Sequence, residues 1–195
     1  MSKADSAASQ KERNKTIRWV ITVFLVTILV SGIISLGSEE LMANSTMAVA
    51  FLVLLAIVLI GIIFDIIGMA VASADEKPFH SMAARKVPGA QEAISLLRSA
   101  ERVSSICNDV IGDICGVVSG SAAATIASQI LQNFEFSWPR MISLMMSALV
   151  AGLTVGGKAI GKSFAINSCT EIVHGVGRIL YRLRHIPDLF RKEKT

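Results

Sequence analysis

Residues 41–64 read LMANSTMAVAFLVLLAIVLIGIIF, and no charged side chain interrupts them. A helix needs about 17–25 predominantly apolar residues to cross a bilayer, so this stretch is long enough to span one. The 195-residue chain contains further uncharged runs at 19–38, 114–134 and 141–157. The pattern predicts an all-α membrane protein with four transmembrane helices.

The composition of the whole chain favours the same class. Apolar residues make up 52% and charged residues 17% of the chain, compared with about 25% charged residues in an average soluble domain. The mean hydropathy is +0.59. These values argue against a soluble enzyme, a secreted disulfide scaffold and a nucleic-acid-binding protein.

Basic residues alternate between successive connecting segments. They precede the first apolar run, lie between the second and third runs, and recur in the C-terminal tail, whereas the loop after the first run carries Glu39 and Glu40 and no basic residue. By the positive-inside rule, both termini and the central loop are expected to be cytoplasmic. This placement accounts for the net charge of +4 without a nucleic-acid partner.

The expected domain organisation is a disordered cytoplasmic segment over residues 1–15 and one helical transmembrane domain over 16–195. The predicted spans cover about 17–37, 47–74, 104–132 and 139–161. Apolar residues at helical spacing predict short amphipathic helices at the cytoplasmic interface, over about 78–87 and 90–101, and a C-terminal juxtamembrane helix over about 170–186.

The sequence offers no catalytic pattern. It contains no nucleophile–base constellation, phosphate loop or dinucleotide fingerprint. Cys107, Cys115 and Cys169 have neither the spacing of a zinc pair nor that of a disulfide framework, so we interpret them as small buried hydrophobic residues. We therefore expect that the protein is not an enzyme.

The third predicted span carries small residues at every fourth position. They are Gly112, Gly116, Gly120 and Ala124, followed by Ser128. Small residues let helix backbones approach closely, which favours helix association in lipid. The face predicts either close packing within the chain or the seam of a homodimer.

Charged side chains intrude on the apolar spans. Asp65 follows the second run, Asp109 and Asp113 lie four residues apart near the start of the third, and Lys158 and Lys162 close the fourth. A charge in a bilayer costs about 2.5–3.5 kcal/mol on insertion scales, so such groups normally face partners or water. We therefore expect these side chains to meet inside the bundle.

The acidic groups exceed the ammonium groups in this set, and oxygen ligands suit hard cations such as Mg²⁺. The predicted metal ligands are Asp65, Asn108, Asp109 and Asp113. The residues expected to line the site or supply counter-charge are Gly68, Ser73, Ser105, Gly157, Lys158 and Lys162. Glycines 156, 157 and 161 would let the fourth helix unwind and offer backbone carbonyls.

A structural interpretation competes with the metal site. Asp65 with Lys158, and Asp113 with Lys162, are candidates for fixed ion pairs that hold the helices together. A cationic side chain beside a cation site is unfavourable unless it is paired, which favours this interpretation.

Three segments of the chain carry a further pattern. The first is IFDIIGMAVASADEKPFHSMAARKVPGA at residues 63–90, in which a predicted spanning helix runs into a helical turn and a glycine. The second is ICNDVIG at 106–112, and the third is TVGGKAIGKSFAIN at 154–167. Together they resemble the transmembrane domain of the cyclin M/CorC family of magnesium transporters, and the similarity covers about residues 48–185.

The resemblance implies a dimeric domain of three spans and a juxtamembrane helix that binds a largely dehydrated Mg²⁺ between its spans. Asn108 would keep its family identity, and Lys162 would match the family's basic residue. The sequence departs from the family where Lys158 replaces a Glu, Gly161 a Pro and Gly112 an Asn. Gly68 takes the place of a polar residue. We also expect an additional first span and no cytosolic CBS domains after Thr195.

Two functions follow as hypotheses. The first is transport of a divalent cation, Mg²⁺ foremost, through a polar site between the helices of a homodimer embedded in membrane lipid. The second is a non-conducting assembly or regulatory subunit whose Asp–Lys pairs are structural. The compact four-span chain suggests a bacterial inner (plasma) membrane.

Overall fold

The computed structural model describes residues 3–43, 45–133 and 138–192. Within these ranges the chain is helical and contains no strand. In chain order the helices are α1 (Lys3–Ala43), α2 (Met47–Ser73), α3 (Lys77–Ala84), α4 (Ala90–Arg98), α5 (Ala100–Ser105), a π-helical segment (Ile106–Gly112), α6 (Asp113–Asn133), α7 (Pro139–Asn167) and α8 (Cys169–Lys192). The prediction of an all-α fold is confirmed.

Four stretches of helix in the described ranges are long and apolar enough to cross a membrane. They are Thr16–Met42, Met47–Ser73, Ala100–Gln132 and Arg140–Asn167. The third stretch joins α5, the π-helical segment and α6 without a break. The prediction of four spans is confirmed, and the fold is that of an integral membrane protein.

The observed helices are longer than the predicted spans at two points. α1 begins at Lys3, within the segment over residues 1–15 for which disorder was predicted, and residues 1 and 2 lie outside the described ranges. Ala and Lys each occur three times in residues 3–15, and such strong helix formers readily extend a helix that the adjoining apolar run has nucleated. α7 continues to Asn167, beyond the predicted end near residue 161.

The core of the bundle lies between α2, α6 and α7. Leu54 and Val58 of α2 are buried with Ala122 and Ile126 of α6 and with Val150 of α7. The third span is the most enclosed, since 44% of its most apolar window is buried, compared with 22% for α2. The helix that carries the small-residue face is therefore the central one of the bundle.

α1 lies at the periphery of the bundle. Its Val23 packs against a cluster that includes Ile114 and Val118, and the Arg102 guanidinium lies 5.7 Å from the centroid of the Trp19 ring. None of the most apolar window of α1 is buried within the chain. Most of this helix therefore faces the surroundings of the chain.

Helices α3, α4 and α8 form a layer at the end of the bundle where α2 and α7 end, and we call it the interfacial layer. Phe79, Ala93 and Val173, one from each helix, are buried with Val71 of α2. Pro78 occupies the first turn of α3, where its missing N–H costs nothing. The helices predicted over about 78–87, 90–101 and 170–186 correspond to α3, α4 and the larger part of α8.

Candidate functional site

An ion pair joins α2 to α7 inside the bundle. The Lys158 Nζ atom lies 3.5 Å from Asp65 Oδ1, and the two side chains are 26% and 17% exposed. Gly112 of the π-helical segment lies beside the pair, because a Cβ there would be 3.2 Å from Lys158 Nζ and 3.9 Å from Asp65 Oδ1. Three helices therefore meet at one ammonium and one carboxylate.

Two glycines of α7 bring these charges together. A Cβ at Gly161 would lie 2.7 Å from Ile66 Cγ1, and a Cβ at Gly157 would collide with the end of the Ile62 side chain. The missing side chains let α7 lie close against α2, in the manner typical of small residues in membrane helices. Asp65 lies between the two isoleucines in sequence, and Lys158 follows Gly157, so close packing places the charges opposite each other.

The same glycines do not unwind the fourth span. α7 is continuous from Pro139 to Asn167, so the expected release of backbone carbonyls around residues 156–161 is wrong. The physical reason is that Gly157 and Gly161 are used for interhelical packing, and an α-helix satisfies its own backbone in lipid. Irregular backbone occurs instead in the third span, as the π-helical segment Ile106–Gly112.

The π-helical segment carries Asn108 and holds it next to α2. The Asn108 Nδ2 group donates a hydrogen bond to Ser104 Oγ at 3.2 Å. Its Oδ1 atom is buried and accepts no hydrogen bond among the described residues. Gly68 makes this arrangement possible, because a Cβ there would collide with Asn108 Oδ1 and would lie 2.8 Å from Asn108 Cγ. The result is an uncompensated carbonyl oxygen in the bundle, which is rare in native structures.

The Asn108 amide and the Asp65–Lys158 pair belong to one polar region. Gly68, which contacts Asn108, follows Asp65 by one turn of α2, and Gly112, which contacts Lys158, follows Asn108 by about one turn of the third span. We call this region the polar seam, defined by Asp65, Asn108 and Lys158. It lies where α2, the third span and α7 converge.

The remaining predicted ligands lie elsewhere. Asp109 and Asp113 are exposed on the surface of the third span, and Ser73 and Lys162 are exposed as well. Asp113 and Lys162 form no ion pair within 4.0 Å in the described part of the chain. No group of three or more His, Cys, Asp or Glu side chains suited to a metal ion occurs among the described residues. One chain alone therefore does not gather the three carboxylates.

The small-residue face of the third span divides into two parts. Gly112 is buried against Lys158, whereas a Cβ at Gly116 or Gly120 would meet nothing within 4 Å. Ala124 and Ser128 are also exposed. The part from residue 116 onward is therefore open in a single chain and continues the surface that carries Asp109 and Asp113.

Several features of the polar seam were not predicted from the sequence. They are the π-helical turn and the Ser104 hydroxyl that orients Asn108. The nearby packing of Gly61 against Cys115, where a Cβ at Gly61 would lie 2.8 Å from Cys115 Cβ, was not predicted either. The clustered Ser104, Ser105 and Asn108 are a weak signal for such a turn. Helical periodicity alone does not reveal it, because it assumes 3.6 residues per turn.

The chemistry available at the seam is that of oxygen ligands and one ammonium. Carboxylate and amide oxygens bind hard cations, while Lys158 already neutralises Asp65. A second cation that bound Asp65 would be repelled by the nearby Lys158 ammonium, because like charges close together in a bundle raise the energy of both.

Together, the fold and the polar seam define the chain as a helical integral membrane protein with a charged site between its spans. No protein-family model matches the sequence, and no curated protein matches it. The resemblance to the cyclin M/CorC family therefore stays a prediction from its motifs.

Proposed function

We propose that this protein transports a divalent cation, Mg²⁺ foremost, across the membrane through the polar seam. The observation that carries the proposal is the buried Asn108 Oδ1 atom, which accepts no hydrogen bond from the described residues and lies against Gly68, one turn along α2 from Asp65. A bound hard cation would satisfy this oxygen and the Asp65 carboxylate, and such cations prefer this ligand chemistry. The family resemblance supports the same class of cargo.

Lys158 acts as a resident counter-cation in this proposal. With the site empty, the ammonium neutralises Asp65 across 3.5 Å and keeps the carboxylate from being an unpaired charge in lipid. An arriving cation displaces the ammonium, and the ammonium returns when the cation leaves. Competition between the two positive charges weakens binding enough for release.

A homodimer would cover the exposed acidic surface of the third span. Asp109 and Asp113 are exposed in the single chain, and a charge that faces lipid is unfavourable, by up to about 2.5–3.5 kcal/mol at the centre of a spanning helix. The open glycines at 116 and 120 allow a second copy to approach closely. The carboxylates of two chains would then line one route to the polar seam.

The proposed orientation places both termini and the interfacial layer in the cytoplasm, following the distribution of basic residues. The proposed location is a bacterial inner membrane.

The proposal is tested by Mg²⁺ flux into liposomes that contain the full chain. We expect Asp65→Ala and Asn108→Ala to abolish flux, because each removes an oxygen of the seam. Asp109→Ala and Asp113→Ala are expected to reduce it. Asp75→Ala is the matched control, since Asp75 lies in the loop after α2 with a 64% exposed side chain and should leave flux unchanged. Unchanged flux in all four seam and surface variants would remove the claim.

A second candidate function is favoured by the Asp65–Lys158 ion pair itself. In a non-conducting assembly or regulatory subunit, this pair would hold α2 against α7 and have no other role. That function predicts that exchanging the two charges, Asp65→Lys with Lys158→Asp, preserves folding and partner assembly. Transport predicts that the exchanged protein folds and conducts no Mg²⁺. Wild-type chain that is folded in liposomes and carries no Mg²⁺ would favour the second function.

A further inference from the structure

Helices α4 and α8 cross with their backbones in contact. A Cβ at Gly177 would collide with the carbonyl oxygen of Gly89, and a Cβ at Gly89 would lie 2.6 Å from the Arg178 Cα atom. Gly89 also has φ = 87°, a left-handed conformation that favours glycine. The close crossing leaves a wedge between the two helices where they diverge.

A groove of about 620 Å³ fills this wedge. Arg98 of α4 and Arg184 of α8 line it on opposite helices, together with the polar side chains of Gln91 and Ser95 and the apolar side chain of Leu180. The volume lies in the range of about 300–1,000 Å³ that is usual for small-molecule sites. The lining thus combines hydrogen-bond donors with apolar surface.

Both guanidinium groups of the groove are available for a ligand. Arg98 and Arg184 are exposed, and neither forms an ion pair or hydrogen bond within the described residues. Glu92 also lines the groove, so the two arginines and this glutamate give the groove a formal net charge of +1. Arginine binds phosphate through paired N–H donors, and a net charge of +1 matches a ligand with one negative charge.

The position of the groove indicates where such a ligand comes from. α8 begins at Cys169, directly after the spanning helix α7 ends at Asn167. The interfacial layer therefore adjoins the end of a spanning helix, where lipid headgroups are expected. Ile179 and Leu183 of α8 are 60% and 56% exposed beside the groove. Exposed apolar residues next to basic ones are typical of helices that lie in the membrane interface.

We propose that the groove between α4 and α8 binds the headgroup of an anionic phospholipid with a single net charge, such as phosphatidylglycerol. Arg98 and Arg184 hold the phosphate from opposite sides, and Gln91 and Ser95 bind the polar headgroup. The acyl chains leave the groove past Leu180. Basic pockets beside transmembrane helices commonly select anionic lipids. This inference does not depend on ion transport.

The test is native mass spectrometry of the full-length chain in detergent. The protein is mixed with equimolar phosphatidylglycerol, phosphatidylethanolamine and phosphatidylcholine that have identical acyl chains. A basic residue near an anionic surface changes affinity by about fivefold, so phosphatidylglycerol should be retained at least about tenfold more strongly than the two zwitterionic lipids. Equal retention of all three lipids by the wild-type chain would overturn the proposal.

Matched variants locate the site. Arg98→Gln with Arg184→Gln should remove the preference, whereas Arg85→Gln with Arg182→Gln should leave it intact. The second pair removes the same charge from exposed positions of the interfacial layer outside the groove. Equal loss of preference in the two pairs would show attraction to the general basic surface and would overturn the groove as the site.

Inorganic phosphate and glycerol 1-phosphate serve as soluble competitors in the same experiment. A lipid site should retain phosphatidylglycerol when either is present in millimolar excess, because the acyl chains contribute to binding. Displacement of the lipid by inorganic phosphate would identify a free phosphate site and overturn the lipid assignment.

Discussion

Removing both side chains of the Asp65–Lys158 ion pair should cost less stability than the sum of the costs of removing each one alone. At 3.5 Å, two unit charges attract by about 5 kcal/mol at an effective dielectric constant of about 20. Their partial exposure, 17% and 26%, and the cost of removing them from water lower the net value. We expect a coupling free energy of about 2–3 kcal/mol between the two side chains.

The measurement is a double-mutant cycle of the free energy of unfolding in mixed micelles. The variants are Asp65→Asn, Lys158→Met and the two combined. Each single substitution leaves one charge without its partner, whereas the double variant leaves none, so the double variant should cost less than the sum of the singles. A coupling below about 0.5 kcal/mol, within the usual error of additivity, would refute the ion pair as a feature of the folded protein.

The Asp75–Lys77 pair is a built-in control for the cycle. Its Nζ and Oδ2 atoms are 4.0 Å apart, and the side chains are 64% and 90% exposed. Exposed pairs of this kind contribute about 0–1 kcal/mol. Repeating the cycle with millimolar Mg²⁺ also tests the proposed function. If a cation displaces Lys158 from Asp65, the coupling free energy of this pair should fall, while that of Asp75 and Lys77 should stay the same.

Three glycine substitutions follow from the packing. Gly68→Ala should destabilise the protein by about 1–3 kcal/mol, the usual cost of overpacking, because its Cβ meets the Asn108 side chain; thermal unfolding in detergent measures this. Gly120→Leu should leave the single chain stable, since its surroundings are open, and should weaken a homodimer, which crosslinking in liposomes measures. Gly177→Ala should force α4 and α8 apart at Gly89 and increase cleavage of the interfacial layer by protease.

Each of these substitutions has a matched glycine in open space. A Cβ at Gly32, Gly152 or Gly175 would meet nothing within 4 Å. Alanine at 32 and 175 and leucine at 152 should therefore change stability, dimerisation and cleavage little. If the alanine controls were destabilised as much as Gly68→Ala or Gly177→Ala, the effect would come from the loss of glycine itself and not from contact of the new Cβ with its neighbours. An equal loss of crosslinking in Gly152→Leu would contradict the prediction that the homodimer interface lies on the third span.

Prediction from sequence succeeded where a local property decides the structure. Four apolar runs became four spanning helices, and amphipathic spacing located the interfacial layer. Prediction failed where one residue type serves two physical purposes. Glycines 157 and 161 are equally compatible with an unwound helix and with a close helix contact, and only the position of Ile62 and Ile66 on α2 decides for contact.

The charged residues show the same limit. Helical spacing placed Asp109 and Asp113 on one face of the third span, and the structure leaves that face exposed in a single chain. In the structure, Asp65 pairs with Lys158, whereas Lys162 is exposed and belongs to no ion pair in the described ranges. Which charges meet depends on how each helix is rotated about its axis, and the rotation is set by the packing of small residues against neighbours from distant parts of the chain.

The amino-acid sequence alone determined that this is a membrane protein, how many times it crosses, and which charges enter the apolar spans, because hydrophobicity and helical period act over neighbouring residues. Only the tertiary structure decided that, of the two candidate ion pairs, Asp65 with Lys158 forms, that Asn108 Oδ1 accepts no hydrogen bond from the described residues, and that a groove opens between α4 and α8. These features depend on contacts between helices that are far apart in the chain. At those contacts the missing Cβ of a glycine determines how closely two helices pack, and the packing determines which polar groups meet.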